Sequence, residues 1–284
     1  MGAAGSGGIN MKSLVSFSGG LDSIYVLWKE LTETSNEVTA VYFDTPIVSK
    51  HVRDKYRLKA FTAEELSKNV ASKLPSLAFE IEQHTRQFSL AVVPYDMSKI
   101  VNPNTGSNHA SVFRVKWAID RINAGMFDRF VSGHCRDNDG FSASAAEDQS
   151  TATASSLAMD VFKATATRGE YVLPLLDNNY TVATAMAELP AELVSANISC
   201  AGITDDGPCG TCYKCNMYKL ARSKLDGGMT PDQFFDFTMS KSVLGDGMWR
   251  SQKRWIAEEL SNVVANVDKD WPMPTWATSY KVPE

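Results

Sequence analysis

LVSFSGGLDSIYVLWKEL (residues 14–31) runs from a short apolar segment, through Ser18-Gly19-Gly20-Leu21-Asp22-Ser23, straight into a stretch with apolar residues at helical spacing. Ser13–Phe17 reads as a buried strand, and Leu21–Leu31 as a helix whose apolar positions are Leu21, Ile24, Tyr25, Leu27 and Trp28. The glycine pair between them tolerates the dihedrals of a tight turn and carries no side chain, so successive backbone N–H groups can be exposed there. The helix starts at once, so its unpaired N–H groups and positive dipole end face the same point. The combination suits a phosphate or pyrophosphate. Ser18 and Ser23 add hydroxyl donors. Asp22 repels such an anion unless a cation such as Mg²⁺ stands between them. The string is neither a Rossmann glycine pattern nor a Walker loop, because no lysine follows the glycines.

Outward from this turn, strands and helices alternate. Val38–Phe43 is β-branched and aromatic and stops at Asp44-Thr45-Pro46, and a charged helical stretch follows over roughly Val52 to Leu74. Phe88–Pro94 reads as a third strand. Ala110–Ala124 reads as a helix with Val112, Val115, Ala118, Ile119 and Ile122 on one face. Phe130–Ser132 is a fourth strand, Ala152–Ala166 is helix-compatible, and Tyr171–Leu175 is a fifth strand. This pattern predicts a doubly wound α/β fold, a parallel sheet with helices on both faces and its ligand edge at the strand C-termini. No internal repeat is visible. From Asp226 onward the pattern changes to helical pieces and a tryptophan-rich tail, an appendage to the main domain.

The chain has 284 residues, is 44% hydrophobic and carries a net charge of −5. That balance argues against a broad, charge-driven nucleic-acid surface. No apolar run approaches the roughly 20 residues of a membrane span. Residues 1–10 lack an apolar core and read as a disordered leader or a cloning remnant. Of five cysteines, Cys135 stands alone, while Cys200, Cys209, Cys212 and Cys215 are clustered near the C-terminal third. Four thiolates at that spacing close a tetrahedral shell around Zn²⁺ with no open position, which is the character of a structural site. Such usage points to a reducing, cytoplasmic setting.

Ser-Gly-Gly-Leu-Asp-Ser after a first strand resembles the pyrophosphate loop of the N-type ATP pyrophosphatases (PP-loop enzymes), which split ATP between its α and β phosphates. With SCAGITDDGPCGTCYKC (199–215) near the other end, the chain resembles the 7-cyano-7-deazaguanine synthase (QueC) family. VVPYDMSKI (92–100), SGHC (132–135) and YVLPLL (171–176) fall where that family has comparable segments, and the likeness spans about residues 11 to 222. The resemblance implies a five-stranded, adenine nucleotide alpha hydrolase-like sheet over 11–190 and a Cys₄ zinc region over 191–225, and the helical extension over 226–284 lies beyond it. It also implies ATP with Mg²⁺, one structural Zn²⁺ and a homodimer. Phe17, Ser18, Gly19, Gly20, Leu21, Asp22, Ser23 and Asp44 are then the ATP-binding candidates, with Asp22 also catalytic. The implied reaction turns the carboxylate of 7-carboxy-7-deazaguanine into an acyl-adenylate with loss of pyrophosphate. Ammonia then attacks to give an amide, and a second activation yields the nitrile.

Two basic elements of that family's pattern are absent. NPNTGSNHASVFR (102–114) lacks Gly-Arg-Asn, and LPLLDNNYTVATAM (173–186) has no lysine. Arg114 is a candidate replacement for the missing cation, the alternative being a solvent-facing helical arginine. After SGHC, RDNDGFS (136–142) offers Asp137 and Asp139 to grip the guanine-like edge or orient an amine, against the alternative of solvated loop carboxylates. These departures leave adenylation intact and open a second reading. In it, a paralogue stops after one acyl transfer, to ammonia or to another amine such as a protein N-terminus, as in antiviral or DNA-modification systems. A PP-loop enzyme that modifies RNA is a further alternative, disfavoured by the acidic composition.

Overall fold

The structure, a computed structural model, describes residues 10–44, 63–94, 110–133, 158–178, 180, 182–198, 218, 221–222 and 225–226. Cys135, Asp137, Asp139, Cys200, Cys209, Cys212, Cys215 and the extension from 227 onward lie outside the described residues.

Five strands form one parallel sheet: β1 (Lys12–Ser16), β2 (Glu37–Asp44), β3 (Ser89–Pro94), β4 (Arg129–Ser132) and β5 (Glu170–Val172). Their spatial order is β3-β2-β1-β4-β5. The first strand is central, flanked by β2 in register Val15↔Ala40 and by β4 in register Val15↔Val131. A strand covered on both faces has to be apolar on both. Accordingly, Leu14 and Val15 point to opposite sides and both are fully buried.

Helices cover both faces. Helix α1 (Leu21–Glu33) and helix α2 (Ala63–Gln83) lie over the face lined by Val15, Phe17, Ala40, Tyr42 and Val131. Helix α3 (Ala110–Asn123) and the helical residues 158–165, α4, lie over the face lined by Leu14, Val41, Phe43 and Phe130. The expected doubly wound α/β architecture is therefore present. Three short helices follow β5: α5 (Pro174–Asp177), α6 (Val182–Glu188) and α7 (Ala191–Ser195). Ala185, Met186, Leu193, Val194, Ile198 and Ala221 join the core beneath α1 and α2. Burial of each large apolar side chain contributes about 1.5–3 kcal/mol. With cover from the sheet, α5 and α6, even Val26 of α1 is buried.

Two expected elements have different limits. Helix α2 passes through Pro75 and runs to Gln83, beyond the Leu74 limit that a helix-breaking proline suggests. Leu74, Leu77 and Ile81 all pack into the core from this helix, and that burial offsets the missing N–H. The fifth strand ends at Val172, short of the expected Leu175, because Pro174 opens α5. Proline at a first helical position loses no helical hydrogen bond and has its φ already set.

The strand N-termini are closed by a polar network. Ser13 Oγ donates to Glu30 Oε1 at 2.5 Å, and Asn36 Nδ2 donates to the same oxygen at 2.9 Å and to Ser13 Oγ at 3.1 Å. Arg129 adds a cation 3.6 Å from that carboxylate. Arg86 reaches across to the carbonyls of Leu31 and Asn36, at 3.1 and 2.5 Å, at the C-terminal end of α1. Among the described residues, no helix is long and apolar enough to cross a membrane.

Candidate active site at the C-terminal edge of the sheet

Chain connections leave β1 toward β2 on one side and arrive at β4 on the other, so the order reverses between β1 and β4. Parallel sheets bind ligands in the crevice at that point, outside the strand C-termini. The Ser18–Ser23 turn follows β1 directly and Gly133 follows β4. A Cβ at Gly133 would stand 2.9 Å from the carbonyl oxygen of Asp22 and 3.1 Å from the nitrogen of Ser23. Only a glycine lets the two loops approach so closely.

The turn is tied internally. Phe17 extends the strand pairing by donating to the Val41 carbonyl at 2.8 Å, and its ring is buried in the α1 face of the core. Ser18 N–H donates to Ser23 Oγ at 3.1 Å, and Ser23 Oγ–H donates to the Gly20 carbonyl at 2.8 Å. Gly20 N–H reaches Ser18 Oγ at 3.4 Å. The hydroxyl proton of Ser23 is thus spent holding the turn, where an outward donor was expected. Gly19 takes φ +74°, the left-handed region that glycine enters at least cost.

What remains at the mouth of the turn is the start of α1. Gly20 caps it from an extended conformation without a side-chain bond, and the first helical hydrogen bond runs from Ile24 N–H to the Gly20 carbonyl at 2.9 Å. The N–H groups of Leu21, Asp22 and Ser23 precede that bond, so they and the dipole define the positive end. Asp22 sits in this first turn and is buried. Among the described residues no cluster of three or more His, Cys, Asp or Glu forms a cage for a metal. One carboxylate plus phosphate oxygens is how Mg²⁺ is usually held in nucleotide sites. Asp22 fits that role.

A second charged group lies at the end of β2. Asp44 closes that strand, and the guanidinium of Arg114 stands 5.8 Å from the centre of the Phe43 ring. On the opposite face of β2, burial pushes the Tyr42 hydroxyl up to about 12, the Asp44 charge adds to that rise and the Arg114 charge opposes it. Arg114 is therefore a half-buried cation at the ligand edge, beside the strand next to β1. A purely solvent-facing helical arginine does not describe it.

Two residues absent from the sequence-based list also touch the turn. Ile198 N–H donates to the Gly19 carbonyl at 2.8 Å, and its side chain fills the space that a Cβ at Gly19 would take. Leu21 N–H donates to the Tyr218 hydroxyl at 3.3 Å. The sequence signal for them is their place alone, since they bracket the cysteine cluster. Gly133 had a local signal, a glycine directly after a short strand within SGHC (132–135).

No family model matches the chain, and no curated protein does. Among solved structures, one similar in outline is the U34-tRNA thiolase NcsA from Methanococcus maripaludis with its [4Fe-4S] cluster. It is 11% identical, with 81% of this chain and 71% of that one covered and a TM-score of 0.38. A likeness at that level carries no weight for the activity of this chain.

Proposed function

We propose that this chain is an ATP pyrophosphatase of the PP-loop kind that activates a carboxylate and hands it to an amine. The observation that supports it is the Ser18–Ser23 turn, seated where the strand order reverses, with the start of α1 and the buried Asp22 at its mouth. A carboxylate resists attack by an amine until its oxygen becomes a good leaving group, and adenylation supplies one.

In the first step a carboxylate oxygen of the acid attacks the α-phosphorus of ATP. The bond from that phosphorus to the bridging oxygen breaks, and pyrophosphate leaves carrying the electron pair. The N–H groups at the start of α1 are the donors assigned to the departing charge, and such preorganised donors lower the barrier. In the second step the amine nitrogen attacks the acyl carbon, AMP leaves with the bonding pair, and the nitrogen loses a proton to give an amide. Asp22 would hold Mg²⁺, which would supply neutralisation of the phosphate charge. Arg114, on α3, supplies a further cation beside the end of β2. The substrate class is a deazaguanine-type acid such as 7-carboxy-7-deazaguanine, with ammonia or another amine as acceptor. Asp137 and Asp139 are the substrate-edge candidates. The four cysteines are assigned one structural Zn²⁺. Metal analysis is expected to find one zinc per chain, lost together with folding stability in Cys212→Ala.

Incubation with ATP, Mg²⁺ and 7-carboxy-7-deazaguanine is expected to yield AMP and pyrophosphate. Asp22→Ala should abolish AMP release while leaving the thermal transition in place. Unchanged turnover in Asp22→Ala removes the assigned role. AMP formed only with RNA moves the reading to an RNA-modifying enzyme, and no AMP with either substrate removes the activity. A product without the nitrile identifies the single-transfer paralogue.

A further inference from the structure

The turn is held from far along the chain by two residues, and they hold it in different ways. Ile198 binds main chain to main chain, N–H to the Gly19 carbonyl at 2.8 Å, with its side chain seated over Gly19. A phosphate at the mouth of the turn does not compete for that carbonyl, since an anion needs donors. Tyr218 binds differently. Its hydroxyl oxygen accepts from Leu21 N–H, one of the three N–H groups that precede the first helical bond of α1. That N–H is also what an anion at the helix start requires.

At 3.3 Å this contact is longer than the usual N–H···O distance, and its acceptor is a neutral hydroxyl. A phosphate oxygen bears charge and accepts a stronger bond from the same donor. We propose that the Tyr218 hydroxyl occupies Leu21 N–H in the nucleotide-free chain and is exchanged for a phosphate oxygen when ATP binds. Tyr218 is then a positioning residue that keeps the mouth of the turn in shape and sets nucleotide affinity by competition. Its ring packs against the same core as α1, and because the phenolic oxygen is fixed to that ring, the exchange requires a small shift of ring and hydroxyl together. This inference rests on the ATP reading above.

The test is equilibrium binding of MgATP and of adenosine to the full chain, wild type and Tyr218→Phe. The phenylalanine keeps the ring and deletes the competing oxygen. MgATP is expected to bind the variant about threefold to tenfold more tightly, the range of one neutral hydrogen bond. Adenosine affinity should not change, because adenosine brings no phosphate to Leu21 N–H. Equal or weaker MgATP binding by the variant overturns the proposal, as does an equal gain for adenosine. Should the variant fail to fold, the amide resonance of Leu21 in the wild-type chain decides the matter. It is expected to move on titration with MgATP and to stay still with adenosine, and a motionless Leu21 amide in an ATP-saturated chain overturns the exchange. Failure of the wild-type chain to bind MgATP at all removes the nucleotide reading itself, a result distinct from each of these.

Discussion

The backbone of Asp22 lies so near Gly133 that a Cβ on the glycine would stand 2.9 Å from the Asp22 carbonyl oxygen and 3.0 Å from its carbon. The loops after β1 and β4 therefore meet main chain to main chain at the point where the strand order reverses. Gly133→Ala forces one of them to move, and a shift of the first turn of α1 displaces Asp22 and the N–H groups at the helix start. A loss of AMP formation of more than tenfold is expected, with the thermal transition still cooperative, read from AMP release and differential scanning calorimetry. Full activity in Gly133→Ala would show that the close approach of the two loops is not needed for AMP formation.

A similar argument at Gly19 separates two costs. Its φ of +74° strains any other residue, and a Cβ there collides with the Ile198 side chain. The backbone part alone costs about 1 kcal/mol for alanine. Gly19→Ala in the wild-type background is expected to exceed that clearly, whereas in an Ile198→Ala background it should fall back toward about 1 kcal/mol. Urea unfolding of the four chains gives the comparison. An identical cost in both backgrounds would mean that the side chain of Ile198 gives way freely.

The parts of this arrangement that the sequence makes legible are those written in neighbouring residues. The strand, the turn and α1 lie within one run from Ser13 to Glu33, where the apolar spacing changes at the glycine pair. β1, β2 and β4 show as short β-branched or aromatic segments because each is buried on both faces. The stop of β5 at Val172 is hidden in the apolar run Tyr171–Leu175, where Pro174 is better placed at a helix start than in a strand. Helices α6 and α7 passed unread because their buried residues, Ala185, Met186, Leu193 and Val194, are divided by Pro190 and form no long periodic run. The contacts of Ile198 and Tyr218 with the turn leave no local trace. Leu21 and Tyr218 are separated by 197 positions, and nothing near either one specifies the other.

The link between α1 and α6 makes stability depend on pH. Tyr25 donates to Glu188 Oε2 at 2.5 Å, and Lys29 stands 3.0 Å from the same oxygen. Burial pushes the Glu188 carboxyl up, but the hydrogen bonds from Tyr25 and Lys29 outweigh it and hold the group below its ordinary value. A lowered carboxylate contributes stability above its unfolded-state pKa, about 4.3, and that contribution is lost as the pH falls through the folded value. Tyr25, raised by burial and then by Glu188, contributes below about pH 10 and loses its share as the pH rises. The stability difference between wild type and Glu188→Gln should therefore be largest near neutrality and shrink below about pH 4. A difference that stays constant from neutral to acid pH would show that the carboxylate does not titrate through this link.

Glu30 offers a control at the opposite end of the sheet. Its Oε1 accepts from Ser13 and from Asn36 and faces Arg129, and the carboxylate is buried. Glu30→Ala strips the acceptor from Ser13 and Asn36 and leaves Arg129 with its other partner, Glu170 at 3.2 Å, so its cost should stay below the roughly 3–5 kcal/mol typical of a buried charge left uncompensated. Glu30→Gln keeps an oxygen in place and removes the charge, so its cost should be near the 1–3 kcal/mol of a weakened buried hydrogen bond. The network lies at the strand N-termini and the turn at the strand C-termini, with the sheet between them. MgATP affinity in Glu30→Gln is accordingly expected to match wild type while the urea midpoint falls. A loss of affinity at unchanged stability would mean that the two ends of β1 communicate, and that the turn depends on more than its own neighbours.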